Sequence, residues 1–335
     1  MRMTFRRTAG PLAVATLLML MCPVSARGQV STASSQSASK PQPDSSGDNR
    51  LATPTGHEVN GSVGSYTYVE PGDLRISMHG IKLGGEYTGT VALDKRRHWF
   101  VQANARGTMG NVTYTGWCSP WLITPNSASP NGYELDTGDA SACSETGDKD
   151  WYVEGRALVG KDLIARAWAL SPYAGLGFRH LSNGTTGTSG YRTDDYLYLP
   201  FGATARAEVA SHHSLSFNLE YDYLIHGWQN THQSLLGGGY VPATTTAPAF
   251  TIEGFSDISF DQHRGWALRA SAKYQVTTHW SVEPYYIRWS VKASPVNYST
   301  ATFTVNKVTA HEQLGYYEPD NYTNEFGVKL GLHFK

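Results

Sequence analysis

The chain has 335 residues, a formal net charge of −1, 16% charged residues, 34 glycines, 20 tyrosines and nine tryptophans. No apolar run of about 18 or more residues follows the N-terminal stretch, which excludes membrane-crossing helices. The balanced charge excludes the basic stripe of a nucleic-acid-binding protein, whereas a barrel strand, apolar only at every second residue, stays open.

In chain order, Arg2, Arg6 and Arg7 precede the apolar stretch 12–21, and Val24-Ser25-Ala26 offers small residues where a signal peptidase reads. Residues 1–26 therefore read as an export signal cleaved near Ala26. Met21 stands where a lipobox before Cys22 needs a small residue, so no lipid anchor is expected. Cleavage leaves 24 basic against 28 acidic residues, a net charge of −4. Residues 27–60 are rich in Ser, Ala, Gln and Pro and bury too little to offset the entropy of ordering them. They read as a flexible periplasmic leader.

The remainder, 61–335, alternates. A first strand is expected over 64–69, Pro71-Gly72 makes a turn, and the next strand extends from 74–78 with a bulge near Gly80. Over 81–93, Ile81, Leu83, Tyr87, Val91 and Leu93 oppose Lys82, Glu86, Thr88 and Thr90. Weaker strands run through 99–116, 151–163 and 172–184. Over 196–209 and 215–225 the pattern is nearly unbroken, Leu197, Leu199 and Phe201 opposing Arg206 and Glu208, and Phe217, Leu219 and Tyr221 opposing Glu220 and Asp222. Leu268 and Ala270 oppose Arg269 and Lys273; Tyr285, Ile287, Trp289 and Val291 oppose Arg288 and Lys292; Phe326, Val328 and Leu330 oppose Glu325 and Lys329.

Short connections (94–98, 211–214, 277–280) alternate with long ones (117–150, 229–263, 293–321), and Trp99, Trp117, Trp151, Trp228, Trp266 and Trp280 sit near strand ends. Long strands, this loop asymmetry and an aromatic girdle indicate an all-β fold, a single antiparallel transmembrane β-barrel of about ten strands in the outer membrane. Twelve strands are the alternative if 250–260 and 302–308 pair. Cys118 and Cys143 share the first long loop, and an oxidising compartment makes a disulfide their default, worth roughly 3 kcal/mol on the chain-entropy model. No cofactor or metal is expected.

The polar parity gathers Lys82, Glu86, Glu154, Arg156, Arg179, Arg206, Glu208, Glu220, Asp222, Lys273, Arg269, Arg288, Glu325 and Lys329 in the lumen. Small barrels are often filled by side chains, so a salt-bridged plug is expected, with a narrow solute pore as the alternative. The implied role is structural, at the surface or as a narrow channel for a small solute, and not enzymatic.

The body resembles bacterial outer-membrane β-barrel proteins of the porin-like superfamily. The resemblance rests on Gly331-Leu332-His333-Phe334-Lys335, on Tyr196-Leu197-Tyr198-Leu199-Pro200, on Gly190-Tyr191-Arg192 and on Glu318-Pro319-Asp320-Asn321. It implies outer-membrane lipid, lipopolysaccharide and the barrel-assembly machinery as partners, although Phe334 lies one position before the usual terminal aromatic.

Two shorter stretches bear on chemistry. His180-Leu181-Ser182-Asn183, with Asp194 twelve residues after the serine, resembles lipid A 3-O-deacylases and implies His180, Ser182 and Asp194 as a triad. Parity sets His180 and Ser182 toward lipid and Asp194 toward the lumen, so the three are expected not to converge, Asp195 having the better parity. Asp148-Lys149-Asp150-Trp151 resembles the acidic pair of omptins, and Asn230-Thr231-His232 follows Gly227-Trp228 as in that family, with Asn where the family carries Asp.

Overall fold

The computed structural model describes residues 51–72, 75–94, 98–165, 167–184, 191–210 and 213–334. The export signal and nearly all of the leader expected over 27–60 lie outside these residues.

Ten long strands make the wall: β1 (Gly56–Glu70), β2 (Ile76–Asp94), β3 (Trp99–Cys118), β4 (Ser141–Lys161), β5 (Trp168–Gly184), β6 (Tyr191–Ala210), β7 (His213–His232), β8 (Gly265–Gln275), β9 (Trp280–Val291) and β10 (Asn321–Phe334). Each pairs antiparallel with its predecessor, and β10 returns to β1 in a register running from His57–Phe334 to Val69–Tyr322. The result is a closed antiparallel transmembrane barrel, which leaves no free sheet edge in the wall.

Alternation decides which side chains meet lipid. Leu83 is 64% exposed on the outside while its neighbour Lys82 is 1% exposed inside. Val63, Val153, Leu176, Phe201, Leu219 and Phe326 continue the apolar outer band. Trp99, Trp168 and Trp280 stand at the end carrying the short turns, and Trp228 at the end carrying the long loops.

Three expectations change. First, β1 begins at Gly56, so Glu58 belongs to the wall. Second, Gly80 is no bulge. It sits in unbroken ladders with Tyr66 and Val112, and a side chain there would collide with the Asn111 carbonyl. The ladder shifts in the wall lie instead between Ala92 and Asp94, between Val112 and Thr113, where Gly147 at φ 88° is the extra residue opposite, between His213 and Ser214, and between Leu224 and His226. Third, Phe250–Phe255 does pair with Asn297–Val305, but beyond the wall, so the barrel keeps ten strands.

That pair belongs to a four-stranded outer sheet completed by Gly239–Val241 and Val308–Tyr316. The hairpin of Trp121–Pro125 and Tyr133–Thr137 packs Ile123 and Leu135 onto Phe250, Ile252, Phe303 and Val305. The Cys118–Cys143 disulfide, with Cα atoms 5.8 Å apart, ties the roots of that hairpin.

The last long loop is clasped at its roots, where Lys292 Nζ and the Ala293 amide each donate to Asp320 at 2.7 Å. Those bonds hold the Asp320 carboxyl below its ordinary range. A lowered carboxylate stabilises above its unfolded pKa, and the stabilisation disappears as pH falls through the folded value. Hydrogen exchange at the Ala293 amide is therefore expected to be slow at neutral pH and to accelerate relative to unclasped loop amides in acid. A ratio constant with pH would refute the clasp.

Candidate functional site: a closed lumen

The inward face of the wall is charged, and ion pairs and hydrogen bonds bind those charges to each other. At mid-height Lys82 pairs with Asp150, and Arg106 pairs with Glu325, which also accepts from Tyr285 at 2.7 Å and Tyr152 at 2.8 Å. Arg269 reaches Glu154 at 2.9 Å through Nη1 and Asp222 at 2.7 Å through Nε, and Tyr198 donates to Glu154. The Arg179 guanidinium lies 3.9 Å from the Tyr152 ring centroid and 5.6 Å from that of Trp289. Tyr152, Tyr198 and Asp222 are each 0% exposed. This layer crosses the lumen.

Beneath it a cavity of about 410 Å³ faces the end bearing the short turns. Its charges are also paired: Arg156 with Glu220 at 2.6 Å, Lys329 with Glu86 at 2.9 Å and Glu283 at 3.5 Å, and Lys273 with Glu58. Residues 51–55 cross this mouth from one side of the ring to the other. Thr53 donates to Asp162 through its amide at 2.6 Å and its hydroxyl at 2.7 Å, while the Ala92 amide on β2 donates to Thr55. Above the layer lies a small cavity of about 20 Å³, lined by Asp194, Glu318, Gln229 and Asn183 among others. There Glu318, from the last long loop, accepts from Tyr68 at 3.1 Å and lies 3.7 Å from Arg192.

Two residues expected in the lumen network, Arg288 and Glu208, stand elsewhere, and a third, Arg206, lines the lumen but serves a different partner. Arg288 faces outward, because on β9 it is Ile287 and Trp289, 4% and 2% exposed, that point in. They join Tyr196, Tyr198 and Leu224 in an apolar cluster inside the barrel, so apolar character on that strand does not mark the lipid side. Arg206 faces in but holds the crossing segment, donating to the Leu51 carbonyl at 2.6 Å and Thr53 Oγ1 at 3.1 Å. Glu208 is exposed at the short-turn rim.

Four members of the network escaped the sequence reading. Arg106 lies in a Gly-, Thr- and Asn-rich strand with faint alternation, and Asp150 in what reads as loop. Glu58 precedes the expected start of the wall, and Glu283 stands beside Pro284 at a strand entry.

The triad residues do not converge. Asp194 is buried on the inside, as its parity requires. On the outer side His180 Nδ1 lies 2.6 Å from Asp195 Oδ1, and Ser182 Oγ donates to Tyr191 Oη at 2.7 Å. The omptin-like residues are also separated by the wall. Asp148 and Asp150 are buried inside, whereas His232 lies outside, 3.3 Å from Asp257. Among the described residues no cluster of His, Cys, Asp or Glu is arranged to hold a metal.

No protein-family model matches the chain, and no curated protein matches it. Among solved structures it is similar to the outer membrane protease OmpT from Escherichia coli, at 12% identity over 84% of this chain and 98% of that one, with a TM-score of 0.44. It is also similar to an outer membrane channel from Pseudomonas putida F1, at 11% identity over 86% of this chain and 98% of that one, with a TM-score of 0.31. A third resemblance is to the Pseudomonas putida toluene transporter TodX, at 10% identity over 84% and 90%, with a TM-score of 0.28.

Proposed function

We propose that this is an exported outer-membrane barrel that does not conduct, and that its working surface is the disulfide-tied outer sheet and hairpin. The observation that carries this reading is the buried layer of ion pairs and aromatic rings across the lumen. Opening a passage there would separate charges that have already left water, at a cost of several kcal/mol for each broken pair. The outer sheet has its own apolar core, as expected of a unit built to hold a shape outside the cell. Planar-bilayer recording is the test. Purified protein is expected to show no stable conductance, and a large, steady current would reject the plug in favour of a channel.

A second reading draws on one observation, the His180–Asp195 couple on the outer wall with Ser182 two residues away. A carboxylate that orients a histidine beside a serine is the arrangement of a serine hydrolase; here it would lie on the lipid side of the wall, with His180 partly exposed and Ser182 itself buried. The hydroxyl would first have to leave Tyr191. Mass spectrometry of lipid A from cells carrying the protein tests this. Unshortened lipid A ends the hydrolase reading; acyl loss that disappears in Ser182→Ala establishes it.

A further inference from the structure

The outer wall carries a guanidinium that has no carboxylate within 4 Å among the described residues: Arg288. It is fixed nonetheless. Its Nη1 donates to Asn324 Oδ1 at 2.9 Å, Tyr286 Oη donates to the same oxygen at 2.7 Å, and the guanidinium lies 4.3 Å from the Tyr322 ring centroid. Arginine has five N–H donors in a rigid fork, and Asn324 occupies one of them. Strand register sets Arg288, Asn324, Thr67 and His79 side by side on β9, β10, β1 and β2, all at outward positions. At about 4.8 Å per strand, this polar row is roughly 14 Å long.

Its height narrows what it can meet. The next outward residue on β9 toward the long loops is Ser290, which pairs with Trp266 of the girdle at that end and with Tyr322. Arg288 therefore lies just below the interfacial aromatics, where a cation on the lipid face meets headgroups instead of chain ends. Toward the bilayer centre the same strands present Phe326, Ile81 and Leu83, each at least 60% exposed. A polar row with a forked cation at one end, above a wall that is apolar apart from Ser65 and the Tyr286 hydroxyl, is complementary to an anionic headgroup carrying acyl chains.

We propose that Arg288 and the row Asn324–Thr67–His79 bind an outer-leaflet lipopolysaccharide through a lipid A phosphate. The guanidinium takes the phosphate through paired N–H donors. Asn324, Thr67 and His79 face the sugar hydroxyls, and the acyl chains lie along Phe326, Ile81 and Leu83. The site depends on the barrel's seat in the membrane and on neither reading of the lumen or of Ser182.

The test is native mass spectrometry of the full mature protein in detergent, titrated with bisphosphorylated lipid A, with dephosphorylated lipid A and with inorganic phosphate. Arg288→Gln is expected to bind bisphosphorylated lipid A about tenfold more weakly than wild type, and wild type to lose about as much toward the dephosphorylated lipid. Equal binding in either comparison overturns the proposal. Displacement of the lipid by equimolar inorganic phosphate would assign the site to free phosphate and overturn it as well. If Arg288→Gln loses heat-modifiable migration, Asn324→Ala serves instead, since it keeps the charge and removes its anchor. It is expected to bind about threefold more weakly, and unchanged affinity overturns the proposal.

Discussion

Replacing Arg269 with methionine is expected to destabilise the barrel more than any other single change in the wall. Arg269 is the cation shared by Glu154 and Asp222, and its Nε also lies 3.2 Å from Glu220. The three carboxylates are 4%, 0% and 2% exposed; Glu220 borders the lower cavity, but Glu154 and Asp222 cannot turn to water when the guanidinium leaves. Removing one partner of a buried ion pair costs about 3–5 kcal/mol, and here one removal affects three acids. Arg269→Lys keeps the charge but loses the fork that serves Glu154 and Asp222 together, and should fall between. Urea unfolding in detergent, read by loss of heat-modifiable migration, gives the measurement. A midpoint unmoved by Arg269→Met would mean that the lumen is hydrated and its pairs screened.

The Lys82–Asp150 pair gives the second large effect, with the opposite sign in the double variant. Both side chains are at most 1% exposed. Lys82→Met strands a carboxylate, and about 3–5 kcal/mol of stability should be lost. Asp150→Leu strands an ammonium that still lies 3.4 Å from the Tyr66 ring centroid, so its loss should be smaller. The double variant Lys82→Met/Asp150→Leu removes both desolvated charges at once and is expected to recover wild-type stability or exceed it by about 1–4 kcal/mol. The double-mutant cycle isolates the coupling. Simple additivity would show that the two charges do not depend on each other.

The wall was legible in the sequence because a membrane-facing strand must declare one parity to lipid, and 81–93, 196–209, 215–225 and 326–334 do so nearly throughout. Legibility failed where the inside is apolar too. On β9, Trp289 and Ile287 satisfy an internal cluster with Tyr196 and Leu224, and Arg288 is tolerated outside because it sits near the interface. Strand ends were misjudged where chemistry is made by partners distant in sequence. Glu58 acquires its role from Lys273 across the lumen, and nothing local to Glu58 signals it. His180 and Asp195 met across one strand pair, a contact that parity anticipates. The hydrogen bond of Ser182 to Tyr191 depends on the rotamer of a tyrosine, which no spacing encodes.

The closure of β1 onto β10 has a kinetic consequence. Contacts across and beside that seam join residues very far apart in the chain: Tyr68 and Glu318 are separated by 250 positions, Arg106 and Glu325 by 219, and Glu58 and Lys273 by 215. Loop-closure entropy must be met before such contacts give any return, so folding is slow and the seam forms late. Contacts absent from the transition state govern how fast a protein comes apart, with little influence on how fast it assembles. The ion pairs that join the first and last strands to the rest of the ring would thus act as a brake on opening. The lifetime of the barrel in the membrane, more than its rate of assembly, would depend on them.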